Sequence, residues 1–99
     1  MTTDVQSSPQ TFDDVFDAIA DTPAEAASMK ARADLLSAIK AQVGTWQLAQ
    51  GAAAARLGIT RPRLNDLLQG KLDKFSLDAL VNLAAASGLV LEMRFATAA

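Results

Sequence analysis

Between Gln50 and Gln69 the chain gathers side chains that hydrogen-bond well: Gln50, Thr60, Arg61, Arg63, Asn65, Asp66 and Gln69, with Lys71 and Lys74 just beyond. Arginine can pair two N–H groups with guanine, asparagine can read adenine, and aspartate can accept from the amino group of cytosine. Lysine, glutamine and the backbone N–H groups at a helix start suit phosphate. This set points to recognition of duplex DNA rather than to bond-making. The usual catalytic residues are missing. There is no histidine and no cysteine, so imidazole bases, serine–histidine triads, thiolate nucleophiles and thiolate or imidazole zinc sites are ruled out. Carboxylates remain, but no pair of them sits in an evident pocket. We expect no enzyme, no cofactor and no metal.

To work together these side chains need two short helices at a steep angle. Such a pair needs a small residue where the helices approach, and Ala54 supplies it. It needs a glycine in the tight turn, and Gly58 follows four residues later. Ala53, Leu57, Ile59, Leu64 and Leu67 suit the inner faces. These spacings are those of a helix-turn-helix. A plain structural hairpin of helices is the competing reading. Thr60 is placed to cap the second helix, with Pro62 in its first turn, where the missing N–H is harmless. The helix from Thr60 should enter the major groove. Arg61 is then the first choice for base contact, with Thr60 and Pro62 beside it. Asn65 and Asp66 follow one turn on, Asn65 placed to read adenine and Asp66 to accept from cytosine or to orient an arginine. Arg63 points more sideways, toward phosphate. Gln50 can anchor a phosphate from the start of the preceding helix, and Gln69, Lys71 and Lys74 suit phosphate at the far end. Trp46 reads as a core residue in preference to a base-stacking one.

The rest of the chain supports this pair. Residues 1–10 are polar, contain Pro9 and show no period, so they read as a disordered tail. Residues 11–43 read as a helical arm. A short helix from Thr11 to about Ala20 would put Phe12, Val15, Phe16 and Ile19 on one face. Thr22-Pro23-Ala24-Glu25 has the pattern of a capping box with proline at the first helical position. The helix it starts should run to about Val43, burying Met29, Ala33, Leu36, Ile39 and Val43, with Gly44 as its stop. Residues 44–88 hold the helix-turn-helix, then a helix capped by Ser76 that should bury Leu77, Leu80, Val81, Leu83 and Ala84 and end at Gly88. In residues 89–99 the period changes. Leu89, Leu91, Met93 and Phe95 alternate with Val90, Glu92 and Arg94, which is strand spacing. A lone strand leaves its backbone unsatisfied. Antiparallel pairing with the same strand of a second copy would solve this, although another helix face can serve for dimerisation instead.

The net charge of −2 is unevenly spread. Residues 1–34 carry seven acids and two bases, a net of −5. Residues 56–74 carry five bases and two acids, a net of +3. An acidic arm is thus joined to a basic centre, and the distribution matters more than the sum. The arm can be a solvated face that docks its apolar stripe, or a wrap for a basic partner. No apolar run reaches the roughly 20 residues of a membrane span. The MTTDVQSSPQ start lacks the charged and apolar regions of a signal peptide, so no membrane association and a cytoplasmic location are expected.

The run from Gln50 to Gln69, with Met29–Leu35 before it and Gly70–Leu77 after it, resembles the Xre/Cro-like helix-turn-helix regulators. It looks most like the branch of HigA-type antitoxins, and the resemblance covers roughly residues 12–95. The fold expected is all-α, five helices with a short C-terminal strand that pairs in a dimer, and the motif, the basic centre and the unpaired strand together point to a homodimer on an inverted-repeat operator. The resemblance implies a DNA-binding repressor, often autoregulating an operon with a toxin of the RelE/ParE/HigB class. One departure is the run Gly51-Ala52-Ala53-Ala54-Ala55, where the family often has polar or acidic side chains. That run leaves the first helix fewer side-chain contacts to the DNA backbone. A stand-alone regulator, and a helical interaction module that does not bind DNA, are the alternatives.

Overall fold

The computed structural model describes residues 22–97. The helix expected from Thr11 to Ala20, with Phe12, Val15, Phe16 and Ile19, and the tail of residues 1–10 lie outside the described residues. Among the described residues there are four α-helices: α1 (Pro23–Trp46), α2 (Gln50–Leu57), α3 (Arg61–Leu68) and α4 (Leu77–Ala86). A 3-10 turn, Leu72–Lys74, lies between α3 and α4. The chain divides into two units at Ala31/Arg32.

In the first unit the start of α1 forms as its sequence dictates. The Thr22 hydroxyl accepts from the Glu25 N–H at 3.0 Å, and the Glu25 carboxylate accepts from the Thr22 N–H at 3.1 Å. Two of the N–H groups that a helix start leaves unpaired are satisfied reciprocally.

In the second unit one core draws on every helix. Leu36, Ile39 and Val43 come from α1, Ala53, Ala54 and Leu57 from α2, Leu64 and Leu67 from α3, and Leu80, Leu83 and Ala84 from α4. Phe75, in the link before α4, is the largest of the fully buried side chains. Helix α2 packs chiefly on α3 and also touches α4. Ala53 and Ala54 are both buried at that approach, where a longer side chain would hold the helices apart. Gly58 ends α2 with φ +75°, and its N–H reaches back to the Ala54 and Ala55 carbonyls. This left-handed turn is cheap for glycine and costly for a residue with a Cβ. Thr60 and Ser76 cap α3 and α4, accepting from the N–H groups of Arg63 at 3.2 Å and Ala79 at 3.1 Å. Ile59 and Phe75 each stand one residue before a cap, and Leu64 and Leu80 stand at the fourth helical position. All four belong to or pack on the core, which is the arrangement of a hydrophobic staple.

Met29, Ala33 and Val81, expected to be buried, are only half-buried, and three further expectations need correction. First, Gly44 does not stop α1. The helix runs through it to Trp46, and the left-handed residue is Gln47 at φ +53°. Glycine tolerates a helical backbone as well as a left-handed one, so surrounding contacts decide. The Thr45 hydroxyl donates to the Gln42 carbonyl at 2.6 Å, and Trp46 packs against the core with the Arg56 guanidinium 4.1 Å above its ring. Second, Leu77 is exposed rather than buried, because it is the first residue of α4 and precedes the turn that faces the core. Third, the described residues hold no strand. Leu89, Leu91, Met93 and Phe95 lie in a segment without regular structure. A strand exists through its ladder of hydrogen bonds, and among the described residues none supplies a second edge.

Candidate nucleic-acid interface

The capped start of α3 projects Thr60, Arg61 and Pro62 into solvent. Arg61 does not stand alone. A Cβ placed on Gly51 would lie 3.7 Å from Arg61 Cδ and 3.9 Å from its Nε. The Arg61 stem therefore runs along the first turn of α2, at a position with no side chain of its own. That turn begins after Ala49, which cannot offer a side-chain cap. Its first N–H groups, at Gln50, Gly51 and Ala52, lack the side-chain acceptor that serves α3 and α4. Gln50 is exposed beside them. The two helix starts and Arg61 thus share one surface, and donors and positive charge on one surface suit a phosphate oxygen or an acceptor on a base edge.

The side of α3 that meets the link to α4 is organised differently. Arg63 is half-buried, its Nη1 donates to the Lys74 carbonyl at 2.8 Å, and its guanidinium lies 4.1 Å over the Phe75 ring. It ties α3 to the turn that carries Lys71 and Lys74. Asp66 is also half-buried and pairs with Lys71, Oδ1 to Nζ at 3.4 Å, while its carbonyl accepts the Lys71 N–H at 3.0 Å. Asn65 is half-buried and its carbonyl accepts the Gln69 N–H. Gln69, Lys71 and Lys74 are exposed.

The residues singled out by sequence therefore fall into two groups on one helix pair. Gln50, Thr60, Arg61 and Pro62 form the first, at the helix starts. The others are engaged within the fold: Arg63 contacts Lys74 and Phe75, and Asp66 pairs with Lys71, with Asn65 and Gln69 alongside. Sequence reasoning missed the parts played by Gly51 and Phe75. The staple position of Phe75, one before the Ser76 cap, was the signal for it. Gly51 sits in an alanine run and carries no such signal, because only the fold brings Arg61 across it.

A cleft of about 280 Å³ lies beside the turn, lined by Leu57, Gly58, Ile59, Arg63, Ala79, Asn82 and Leu83. It brings together no acid–base pair. Among the described residues no cluster of three or more metal-ligating side chains occurs, and no helix is long and apolar enough to cross a membrane. Of the residues expected in dimerisation, Leu89 packs against the core, whereas Leu91, Met93 and Phe95 are exposed.

The family model described as a helix-turn-helix domain matches residues 18–96, which takes in all four helices and most of the C-terminal segment. No curated protein matches the chain.

Proposed function

The chain belongs to the helix-turn-helix domain family, and from that premise we propose that it is a sequence-specific DNA-binding repressor. The observation that carries this reading is the surface shared by the starts of α2 and α3, where Arg61 lies across Gly51 beside uncapped N–H groups. In this reading α3 lies in the major groove. Arg61 reads a base edge with Thr60 and Pro62 against the groove wall, Asn65 faces the next base pairs, and Asp66 holds Lys71 beside them and tempers its charge. Gln50 and the start of α2 hold one phosphate, and Gln69, Lys71 and Lys74 approach others. Two copies acting together would put their α3 helices about 34 Å apart on an inverted repeat. The negative net charge does not oppose this, because the surplus of acid falls in residues 1–34 and residues 56–74 are net positive.

The finer role within this reading is the cytoplasmic antitoxin of a type II pair that represses its own operon. The resemblance of residues 12–95 to HigA-type antitoxins supports it. So does the net charge of −5 over residues 1–34, which suits a basic partner such as an RNA-cleaving toxin of the RelE/ParE/HigB class. The same acidic stretch is what favours the second reading, an interaction module that holds a protein partner and leaves DNA alone. A neighbouring reading frame for a small basic protein, inhibited on mixing, separates an antitoxin from a stand-alone regulator.

The primary test is fluorescence anisotropy of the protein on its own promoter at two salt concentrations, beside random DNA. Preferential, salt-sensitive binding is expected, and Arg61→Ala should weaken specific binding by about 1–3 kcal/mol. Equal binding of promoter and random DNA, or an unaffected Arg61→Ala variant, would sink the base-reading role and leave the protein-partner reading.

A further inference from the structure

Glycine within a helix weakens it relative to alanine, so its presence at Gly51 calls for a reason. The backbone supplies none. Gly51 lies within α2, and unlike Gly58 at φ +75° it does not have a left-handed conformation. Core packing supplies none either. Beyond its own helix and neighbours, a built Cβ would meet only the Cδ of Arg61 at 3.7 Å and its Nε at 3.9 Å. Those are ordinary contact distances, so a Cβ just touches the arginine and any atom beyond it competes with Arg61 for the same space.

Arg61 uses that space. As the first residue of α3 it carries a Cβ tilted toward the helix start, so its stem leans back past the Thr60 cap and onto α2. Of the three arginines in residues 56–74, Arg56 lies over Trp46, and Arg63 lies over Phe75 and donates to the Lys74 carbonyl. Arg61 makes no hydrogen bond, ion pair or ring contact among the described residues. No acid stands in the first turn of α2 or of α3, and Asp66 is held by Lys71. The Arg61 guanidinium therefore keeps its donors and its charge for a ligand, while the bare turn at Gly51 steadies its stem on one side. An acidic side chain at position 51 would end this. Its oxygens, one or two bonds beyond a Cβ that lies 3.9 Å from Nε, would pair with the guanidinium.

We propose that Gly51 is a positioning residue for base recognition. By carrying no side chain it lets the Arg61 stem rest on α2 and leaves the guanidinium unpaired, ready to meet the O6 and N7 of a guanine. The inference rests on the DNA-binding reading above and adds which residue governs Arg61 and which base Arg61 selects. Gly51 touches no base and acts through Arg61.

Gly51→Glu and Gly51→Gln, each made in the wild-type chain and in the Arg61→Ala chain, test this. The two substitutions add the same length, and Glu adds charge as well. Anisotropy reads binding to promoter DNA, to promoter DNA with single G·C pairs replaced by A·T, and to random DNA. In the wild-type chain Gly51→Glu should weaken promoter binding by about tenfold or more. It should also erase the preference for the same G·C pair that Arg61→Ala ceases to read, and Gly51→Gln should do so less. In the Arg61→Ala chain neither should cost more than about threefold, because the group they act through is gone. Direct repulsion of phosphate by the new carboxylate would instead weaken promoter and random DNA by the same factor and persist without Arg61. Either of those results overturns the role of Gly51 and leaves promoter binding standing. Circular dichroism checks that each variant is folded, and the contact itself is read in the free wild-type protein. Nuclear Overhauser effects should join the Gly51 Hα protons to the Arg61 Hδ protons, and their absence overturns the placement whatever the DNA assays give. A wild type with no preference for promoter over random DNA fails the base-reading role beneath the inference, and the role of Gly51 falls with it even where the contact is present.

Discussion

Replacing Arg63 by alanine distinguishes a side chain that holds the fold from one that holds DNA. From its position after the cap, Arg63 reads as a phosphate contact. In the folded chain its guanidinium is engaged by the Lys74 carbonyl at 2.8 Å and by the Phe75 ring at 4.1 Å. A charged hydrogen bond contributes about 1.5–3 kcal/mol when well buried. The Lys74 end is exposed, so about 1 kcal/mol is the appropriate share here. The cation–π contact adds about 0.5–1 kcal/mol, and the arginine stem covering the ring adds a few tenths of a kcal/mol. Arg63→Ala should therefore cost about 2 kcal/mol, read as a lower urea midpoint with an unchanged slope. For a domain of this size the melting temperature should fall by about 10 °C. Arg63→Lys keeps the charge but loses the planar stack and should recover less than half. In DNA titrations across a salt series, a positioning role predicts a slope of log K against log salt unchanged from wild type. A phosphate contact predicts a slope shallower by about 0.9. Stability within about 0.5 kcal/mol of wild type, together with a shallower salt slope, would refute the positioning role and return Arg63 to the DNA backbone.

Two glycines should respond in opposite directions to alanine. Gly44 is inside α1 with nothing within 4 Å of a built Cβ, so Gly44→Ala should stabilise by about 0.5–1 kcal/mol; Gly58, at φ +75°, should lose about 1–2 kcal/mol. Chemical denaturation of the two variants checks both, and a destabilised Gly44→Ala would mean that α1 ends at Val43 after all. Asp66→Asn removes the partner of Lys71. It should tighten binding to specific and random DNA alike at low salt, by roughly three- to tenfold, with the gain fading at high salt. A change confined to one base pair of the operator, measured with single-substituted oligonucleotides, would instead mark Asp66 as a base reader.

Much of the fold was legible because its signals are local. Thr22 with Glu25, Thr60 and Ser76 each act within three residues, so their hydrogen bonds follow from sequence order alone. Gly58 was equally readable, since a left-handed turn four residues after a buried small residue fits few arrangements. The spacing of Leu36, Ile39 and Val43, and of Leu64 and Leu67, gave the buried faces correctly because helical period is itself a local property. The presence of Arg61 at an exposed helix start was determined in the same way.

Tertiary structure decided what depends on residues distant in sequence. Whether α1 stopped at Gly44 depended on Thr45 and on Trp46 packing under Arg56, and the backbone freedom of glycine allowed either outcome. Leu77 matched the period of α4 but lay ahead of the turn that meets the core. Arg61 crosses Gly51, Arg63 reaches Lys74 and Phe75, and Asp66 holds Lys71, because the α2–α3 angle and the turn of Leu72–Lys74 bring these groups within a few ångströms. A side chain's charge is written in the sequence; its partner is set by geometry. The C-terminal alternation shows the limit most plainly. The sequence encodes strand periodicity in Leu89–Phe95, but a strand needs hydrogen bonds from a second edge, and the described residues offer none.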